Sequence, residues 1–128
     1  MSRRKSPVLT DHELRLMEVL WRKQRATVAD VVEALSPPPL TYSTVLTTLR
    51  TLERKGHVAH EEEGRAFVYR PSVQRADAAK SAVRHVLDRF FASSPGALAV
   101  TLLDDARLND DDLTHIKRIL ARRRKEQK

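Results

Sequence analysis

Apolar positions recur with a helical period in six segments of the chain and alternate with a strand period in two. The sharpest segment covers residues 41–55. At about 100° per residue, Val45, Leu49 and Leu52 form one stripe there, flanked by Leu46 and Thr48. Thr41 is a good N-cap after the breaker Pro37-Pro38-Pro39, and Gly56 suits the left-handed residue that closes a helix. Upstream, Thr10 and Glu13 have the spacing of a capping box and open a helix to about Lys23. Its core face reads as Leu14, Met17, Leu20 and Trp21, widened by Leu16. Thr27 and Asp30 repeat the capping logic ahead of Val28, Val31, Val32 and Leu35, and Ser36 with the prolines ends that helix. Two short helices so tightly joined, the second polar on its outer face, predict a helix-turn-helix.

After Gly56 the period changes. Residues 57–62 and 65–70 alternate as two strands around Glu63-Gly64, a hairpin signal, and Pro71 stops the second strand. A hairpin in this position is the wing of a winged helix, with Arg65 at its tip. Phe67 and Tyr69 share one side and are expected to pack onto the helices. Three more amphipathic helices follow. Residues 74–92 carry Ala79, Val83, Val86, Leu87 and Phe90; residues 96–106, opened by Ser94-Pro95, carry Leu98, Val100, Leu102 and Leu103. Asn109 caps the last one, which presents Leu113, Ile116, Ile119 and Leu120.

The expected fold is therefore mainly α with a small β-hairpin wing. Residues 1–7, with Arg3, Arg4 and Lys5 and no apolar partner, read as a disordered basic arm; residues 8–72 form a winged helix-turn-helix; residues 73–128 form a three-helix domain with a basic tail. Three short helices behind a complete domain have little core to join. A second copy supplies it, since symmetric dimers are the commonest oligomer. Val83, Val86, Leu87, Phe90, Leu98, Leu102, Leu103, Leu113, Ile116 and Leu120 are the expected dimerisation residues. The alternative is a small lobe packed on its own wing domain.

Charge points to the partner. Lys and Arg number 24 against 17 Asp and Glu, a net charge of +7, which favours a polyanion such as nucleic acid or an acidic membrane surface. No run approaches the apolar length of a membrane span, and a soluble cytoplasmic protein is expected. With no cysteine and only three glycines, a disulfide framework, a thiolate metal site and a glycine-rich phosphate loop are excluded. His57 and His60 fall on opposite faces of a strand, no nucleophile-histidine or His-Glu-x-x-His motif occurs, and no catalytic residue, metal or cofactor is expected.

The outer face of residues 41–55 collects Ser43, Thr47, Arg50 and Arg54, with Thr44 and Thr51 beside them. Short hydroxyls allow close approach to base edges, and arginine reaches guanine or phosphate. A merely solvated face would mix Glu with Lys. Thr41 and Tyr42 at the helix start and Arg65 of the wing complete the expected DNA-binding set. Glu61, Glu62 and Glu63 near the tip would be repelled by DNA unless paired. A winged helix used as a protein-interaction module is the rival reading, as is a regulator released by a ligand; the first would need an exposed Leu, Phe or Tyr anchor, which this face is read as lacking.

Three blocks in this order carry a resemblance: residues 9–21, Leu-Thr-Asp-His-Glu-Leu-Arg-Leu-Met-Glu-Val-Leu-Trp; residues 42–56, Tyr-Ser-Thr-Val-Leu-Thr-Thr-Leu-Arg-Thr-Leu-Glu-Arg-Lys-Gly; and residues 64–71, Gly-Arg-Ala-Phe-Val-Tyr-Arg-Pro. The chain resembles the penicillinase-repressor family of BlaI/MecI type. The resemblance implies a homodimeric repressor on palindromic operators with TACA and TGTA half-sites. It also implies a β-lactam or cell-wall-stress signal, a membrane-bound sensor metallopeptidase as partner, and release by cleavage. Laid onto the family's cleavage position, the bond is Thr101-Leu102, although both residues differ from the family's Asn-Phe pair. Copper-responsive relatives carry a cysteine-rich tail, so copper sensing of that kind is not expected here.

Overall fold

The computed structural model describes residues 8–127; the expected basic arm, residues 1–7, lies outside them. The elements are α1 (Asp11–Lys23), β1 (Ala26–Thr27), α2 (Val28–Ala34), α3 (Tyr42–Arg54), β2 (Val58–Glu63), β3 (Ala66–Pro71), α4 (Arg75–Phe90), α5 (Pro95–Leu103) and α6 (Asp110–Glu126). They make a mostly helical fold with one small antiparallel sheet. Two compact units result, the first ending at His85 and the second beginning at Val86, so the division falls inside α4 and not where the hairpin gives way to helix.

The first unit is built from caps inward. The Thr10 hydroxyl accepts from the Glu13 N–H at 3.2 Å, and the Thr10 N–H donates to Glu13 Oε1 at 2.9 Å. Thr27 and Asp30 make the same reciprocal pair at the start of α2, at 3.0 and 3.1 Å. Each box satisfies two N–H groups that a helix start leaves without partners. Between the helices and the sheet lies a core of Leu16, Met17, Val19, Leu20, Val28, Val31, Val45, Leu49, Leu52, Val58 and Tyr69. Leu14 does not join it: the buried face of α1 centres on Leu16 and Leu20, which draws Val19 inside and turns Leu14 out to 39% exposure. Trp21 sits at the edge of the core, donating from Nε1 to the Val73 carbonyl at 2.8 Å, with the Arg75 guanidinium 4.8 Å above its ring.

One acid occupies the buried face of α1. Glu13 is 3% exposed, and its Oε1 also accepts from Lys55 Nζ at 2.8 Å, joining the start of α1 to the end of α3. Burial pushes its carboxyl up. The hydrogen bonds from Lys55 and from the Thr10 N–H, with the Lys55 charge, outweigh burial and hold it below the ordinary glutamate value. A carboxylate depressed in this way contributes stability above its unfolded pKa, about 4.3, and loses that contribution as the pH falls through the folded value. Stability followed by circular dichroism in urea should therefore decline below about pH 4. Glu13→Gln should flatten that part of the profile while lowering stability at neutral pH. An unchanged acid limb in the variant would show that the pair contributes nothing to it.

The sheet has three strands in the order β1-β3-β2, one more than the sequence pattern predicts. Ala26 pairs with Tyr69 and Thr27 with Val68, placing the α1–α2 connection beside the wing. In the hairpin, the register runs from Val58 opposite Pro71 to Glu63 opposite Ala66. The turn is thus Gly64-Arg65, one residue later than expected, and Pro71 ends the strand from within its last pair. Gly64 has φ 60° while Arg65 does not go left-handed, which follows the turn class with glycine at its first central position. Tyr69 is buried as expected. Phe67 is 40% exposed and lies against the His60 ring at 4.9 Å, so only one of the two aromatics packs into the core.

In the second unit, the helix expected over 74–92 stops at Phe90, because Ala92 and Ser93 take left-handed backbone conformations that reverse the chain. Ser94 then caps α5, with Pro95 at its first position. α5 ends at Leu103 and not at 106. Asp105 turns the chain, accepting from both the backbone N–H and the guanidinium of Arg107 at 2.6–3.0 Å. Asn109 and Asp112 form a third capping box at the start of α6. Neither α5 nor α6 contains a buried residue. Phe90, Val100, Leu102, Leu103 and Leu120 are 47–74% exposed, and Leu102, Leu103, Leu108, Ile116 and Leu120 line an open apolar groove of about 360 Å³.

Candidate nucleic-acid interface

α3 owes its orientation to the core stripe. With Val45, Leu49 and Leu52 at zero exposure, the opposite side must face solvent. Thr41 starts the helix, its hydroxyl accepting from the Thr44 N–H at 3.2 Å and lying 3.0 Å from the Thr44 hydroxyl. Thr48 and Thr51 turn their hydroxyls back onto the Thr44 and Thr47 carbonyls, at 2.8 and 3.1 Å. Thr51 also accepts from Arg54 at 3.1 Å and so steers that guanidinium. Thr47 and Arg50 are left open, and Ser43, whose hydroxyl lies 3.4 Å from that of Thr41, is exposed with them; the three are spaced i, i+4, i+7 along one line of the helix. Lys55, by contrast, is spent on Glu13.

Two of the three acids in the wing are paired. Glu61 pairs with Arg70 across the strands, and Glu63 pairs with Arg25. Arg65 at the tip makes no ion pair among the described residues, and neither does Glu62. His60 Nδ1 lies 2.7–2.8 Å from both carboxylate oxygens of Glu53, which ties the wing strand to α3 and occupies the acid on the flank of that helix. Burial pushes the Tyr69 phenol up, reinforced by Glu53 and opposed by Arg50, so it stays neutral beside this bridge.

Between α3 and the wing lies an open groove of about 360 Å³. Val28, Ala29, Leu46 and Phe67 give it an apolar lining; Tyr42, Arg50 and Arg65 border it. Tyr42 is 55% exposed and Phe67 40%, so aromatic side chains stand beside the outer face of residues 43–54, one at the helix start and one on the wing. The groove and the Arg25–Glu63 pair join residues distant in the chain, and the Glu53–His60 bridge joins a helix to the strand after it; none has a local sequence signal. Among the described residues, no group of three or more His, Asp or Glu could hold a metal ion. Among the described residues, no single helix is long and apolar enough to cross a membrane either.

The family model of the penicillinase repressor matches residues 9–122. The chain belongs to the penicillinase repressor family. The penicillinase repressor of Bacillus licheniformis is 29% identical over 119 residues, covering 91% of this chain and 92% of that protein. The methicillin resistance regulatory protein MecI of Staphylococcus aureus (strain N315) is 18% identical over 113 residues, covering 88% and 92%. The solution structure of the DNA binding domain of the repressor BlaI superposes with a TM-score of 0.51 at 34% identity, covering 59% of this chain and 93% of that one. These relatives are named as repressors and a regulatory protein.

Proposed function

We propose that this penicillinase-repressor family member is a sequence-specific DNA-binding repressor that acts as a homodimer on a palindromic operator. The observation that carries the reading is the exposed row Ser43, Thr47 and Arg50 on α3, beside a groove that Arg50 and an unpaired Arg65 both border, while Glu53, Glu61 and Glu63 are held by other groups. Ser43, Thr47 and Arg50 enter the major groove. Arg54, oriented by Thr51, and Arg65 take phosphates, and Tyr42 stands where the groove beside α3 meets the backbone. Thr41 and Thr44 set the helix start that presents the row. A family whose members are named as repressors supplies repression in preference to activation. Tyr42 and Phe67 also suit a protein partner, but the arginines beside them and the absence of a free acid on α3 favour a polyanion.

Selection of bound sequences from random duplex DNA, followed by gel shift, tests this directly. Two half-sites about 10 base pairs apart, or a multiple, are expected of a dimer with two-fold symmetry. Failure to enrich any sequence would leave the protein-interaction reading. On the selected site, Arg50→Ala should cost about 1–3 kcal/mol by fluorescence anisotropy, concentrated at one base pair. An equal loss on all duplexes would make Arg50 a phosphate contact, and no loss would remove α3 from the interface.

The exposed Val86, Phe90, Leu102, Leu103 and Leu120 and the half-buried Leu87, Leu98, Leu113 and Ile116 of the second unit support dimerisation, with Val83 continuing the stripe of α4. Release follows from a cut at Thr101-Leu102, made downstream of a membrane-bound sensor metallopeptidase that answers a β-lactam or cell-wall signal. The bond lies in the last turns of α5, where Thr101 donates to the Ala97 carbonyl and both residues are exposed. A protease needs an extended segment, so local opening of this short helix precedes the cut. Mass spectrometry of the protein from induced cells should find the fragment ending at Thr101. Persistence of the full-length chain while target genes are active would favour release by a ligand.

A further inference from the structure

The end of α6 has a feature that dimerisation does not use. Between Leu113 and Lys125 the chain holds six cations, Lys117, Arg118, Arg122, Arg123, Arg124 and Lys125, and no acid. All six are exposed, and none makes an ion pair or side-chain hydrogen bond among the described residues. A helix C-terminus carries only about half a negative charge, so four consecutive cations far exceed what the dipole can use. Arg118 with Arg122, and Arg122 with Lys125, are like-charged neighbours at i+4 and i+3 and oppose the helix that bears them. The aspartates of the first turn of α6 lie about 18 Å away along the axis, beyond the screening length at physiological salt, and Glu126, the acid that ends the helix, makes no ion pair among the described residues and leaves the cluster strongly positive. At about 100° per residue, residues 122–125 ring the helix, a geometry suited to phosphates approached from any side and not to base readout.

We infer that the cationic end of α6 is a docking surface for the phosphate backbone of duplex DNA flanking the operator. The inference rests on the DNA-binding reading of α3 and the wing. Once those are seated, nearby duplex is present at high effective concentration, and contacts too weak to act alone add to the whole. An anionic lipid surface is the competing polyanion. A membrane-surface helix leaves its apolar face free for acyl chains and favours aromatic residues at the boundary. α6 has no aromatic residue of the Trp, Phe or Tyr type, and its Ile116 and Leu120 border the groove shared with Leu102 and Leu103 of α5.

The test uses the full chain and two duplexes, one with the selected operator alone and one with about 15 further base pairs, one and a half turns, on each side. The logarithm of affinity is measured against the logarithm of salt concentration. Each flanking phosphate engaged should steepen the slope on the long duplex by about 0.9, which is about 3.5-fold in affinity between 50 and 200 mM salt. The combined variant Arg122→Gln, Arg123→Gln, Arg124→Gln and Lys125→Gln should lose the additional slope and bind the short duplex as the wild type does. Lysine at the three arginine positions should retain it. Equal wild-type slopes on the two duplexes would overturn the inference, as would a glutamine variant weakened equally on both. Binding of the wild type to phosphatidylglycerol vesicles, together with equal slopes, would reassign the surface to lipid. If the wild type fails on the short duplex itself, the DNA-binding reading falls and this inference with it; success there with equal slopes overturns only this one.

Discussion

A chain ending at His85 should bind a two-half-site operator about 10²–10⁴-fold more weakly than the full chain, with its affinity for a single half-site unchanged. The groups proposed to read the operator, on α3 and the wing, lie in the first compact unit. What the truncated chain loses is the second unit, whose apolar side chains stand open on α5 and α6. Without them, the second half-site is reached by an independent encounter instead of an intramolecular one. The place of the cut matters. Ending at Pro71, where the strand pattern stops, would remove the Val73 carbonyl that accepts from Trp21 and the buried Ala78, and so would damage the domain it aims to isolate. Sedimentation should find the 1–85 form monomeric at micromolar concentration, and anisotropy on one-site and two-site duplexes should give the two affinities. A truncated form that still dimerises, or that holds the two-site duplex as tightly as the full chain, would place the dimer contacts elsewhere.

Leu49→Ala should destabilise the first unit by about 2–5 kcal/mol, the range for deleting a buried leucine whose site cannot fully collapse. Leu49 has zero exposure and sits among Val45, Leu52, Leu16 and Tyr69 in the core shared by the three helices and the sheet. A domain of this size has a total stability of only about 4–12 kcal/mol. The substitution leaves Ser43, Thr47 and Arg50 in place, so any loss of operator binding should track the unfolded fraction and vanish in conditions that restore folding. Urea titration should show a lower midpoint at an unchanged slope. A shift below about 1 kcal/mol would mean that the core relaxes around the cavity.

Elements with local rules were readable along the chain. The pairs Thr10 with Glu13, Thr27 with Asp30 and Asn109 with Asp112 are each three residues apart, and each forms a capping box that starts a helix where the pattern placed it. The stripe Val45, Leu49 and Leu52 oriented α3 for the same reason. Features decided at a distance were not readable. A two-residue strand such as β1 is too short to show a period. Glu13 and Lys55 are 42 positions apart, and an acid on the inner face of α1 makes sense only once its partner is in view. Leu14 resembles its neighbours until Leu16 and Leu20 fix the centre of the buried face. At the interface, residue types identified the row on α3. Which wing acids are neutralised depended on side chains meeting across the fold.

Thr27 belongs to two elements at once. Its backbone pairs with Val68 in the central strand, and its hydroxyl and N–H complete the capping box that begins α2. The boundary between wing and helix pair therefore does not run through the chain at Gly56, where the period changes. A chimera joined there would take β2 and β3 and leave behind the outer neighbour of β3. To transplant the wing intact, a designer would need to carry Ala26 and Thr27 along with residues 57–71, and so would also transfer the residue that starts the second helix. The two halves of the reading head are exchangeable only as one piece.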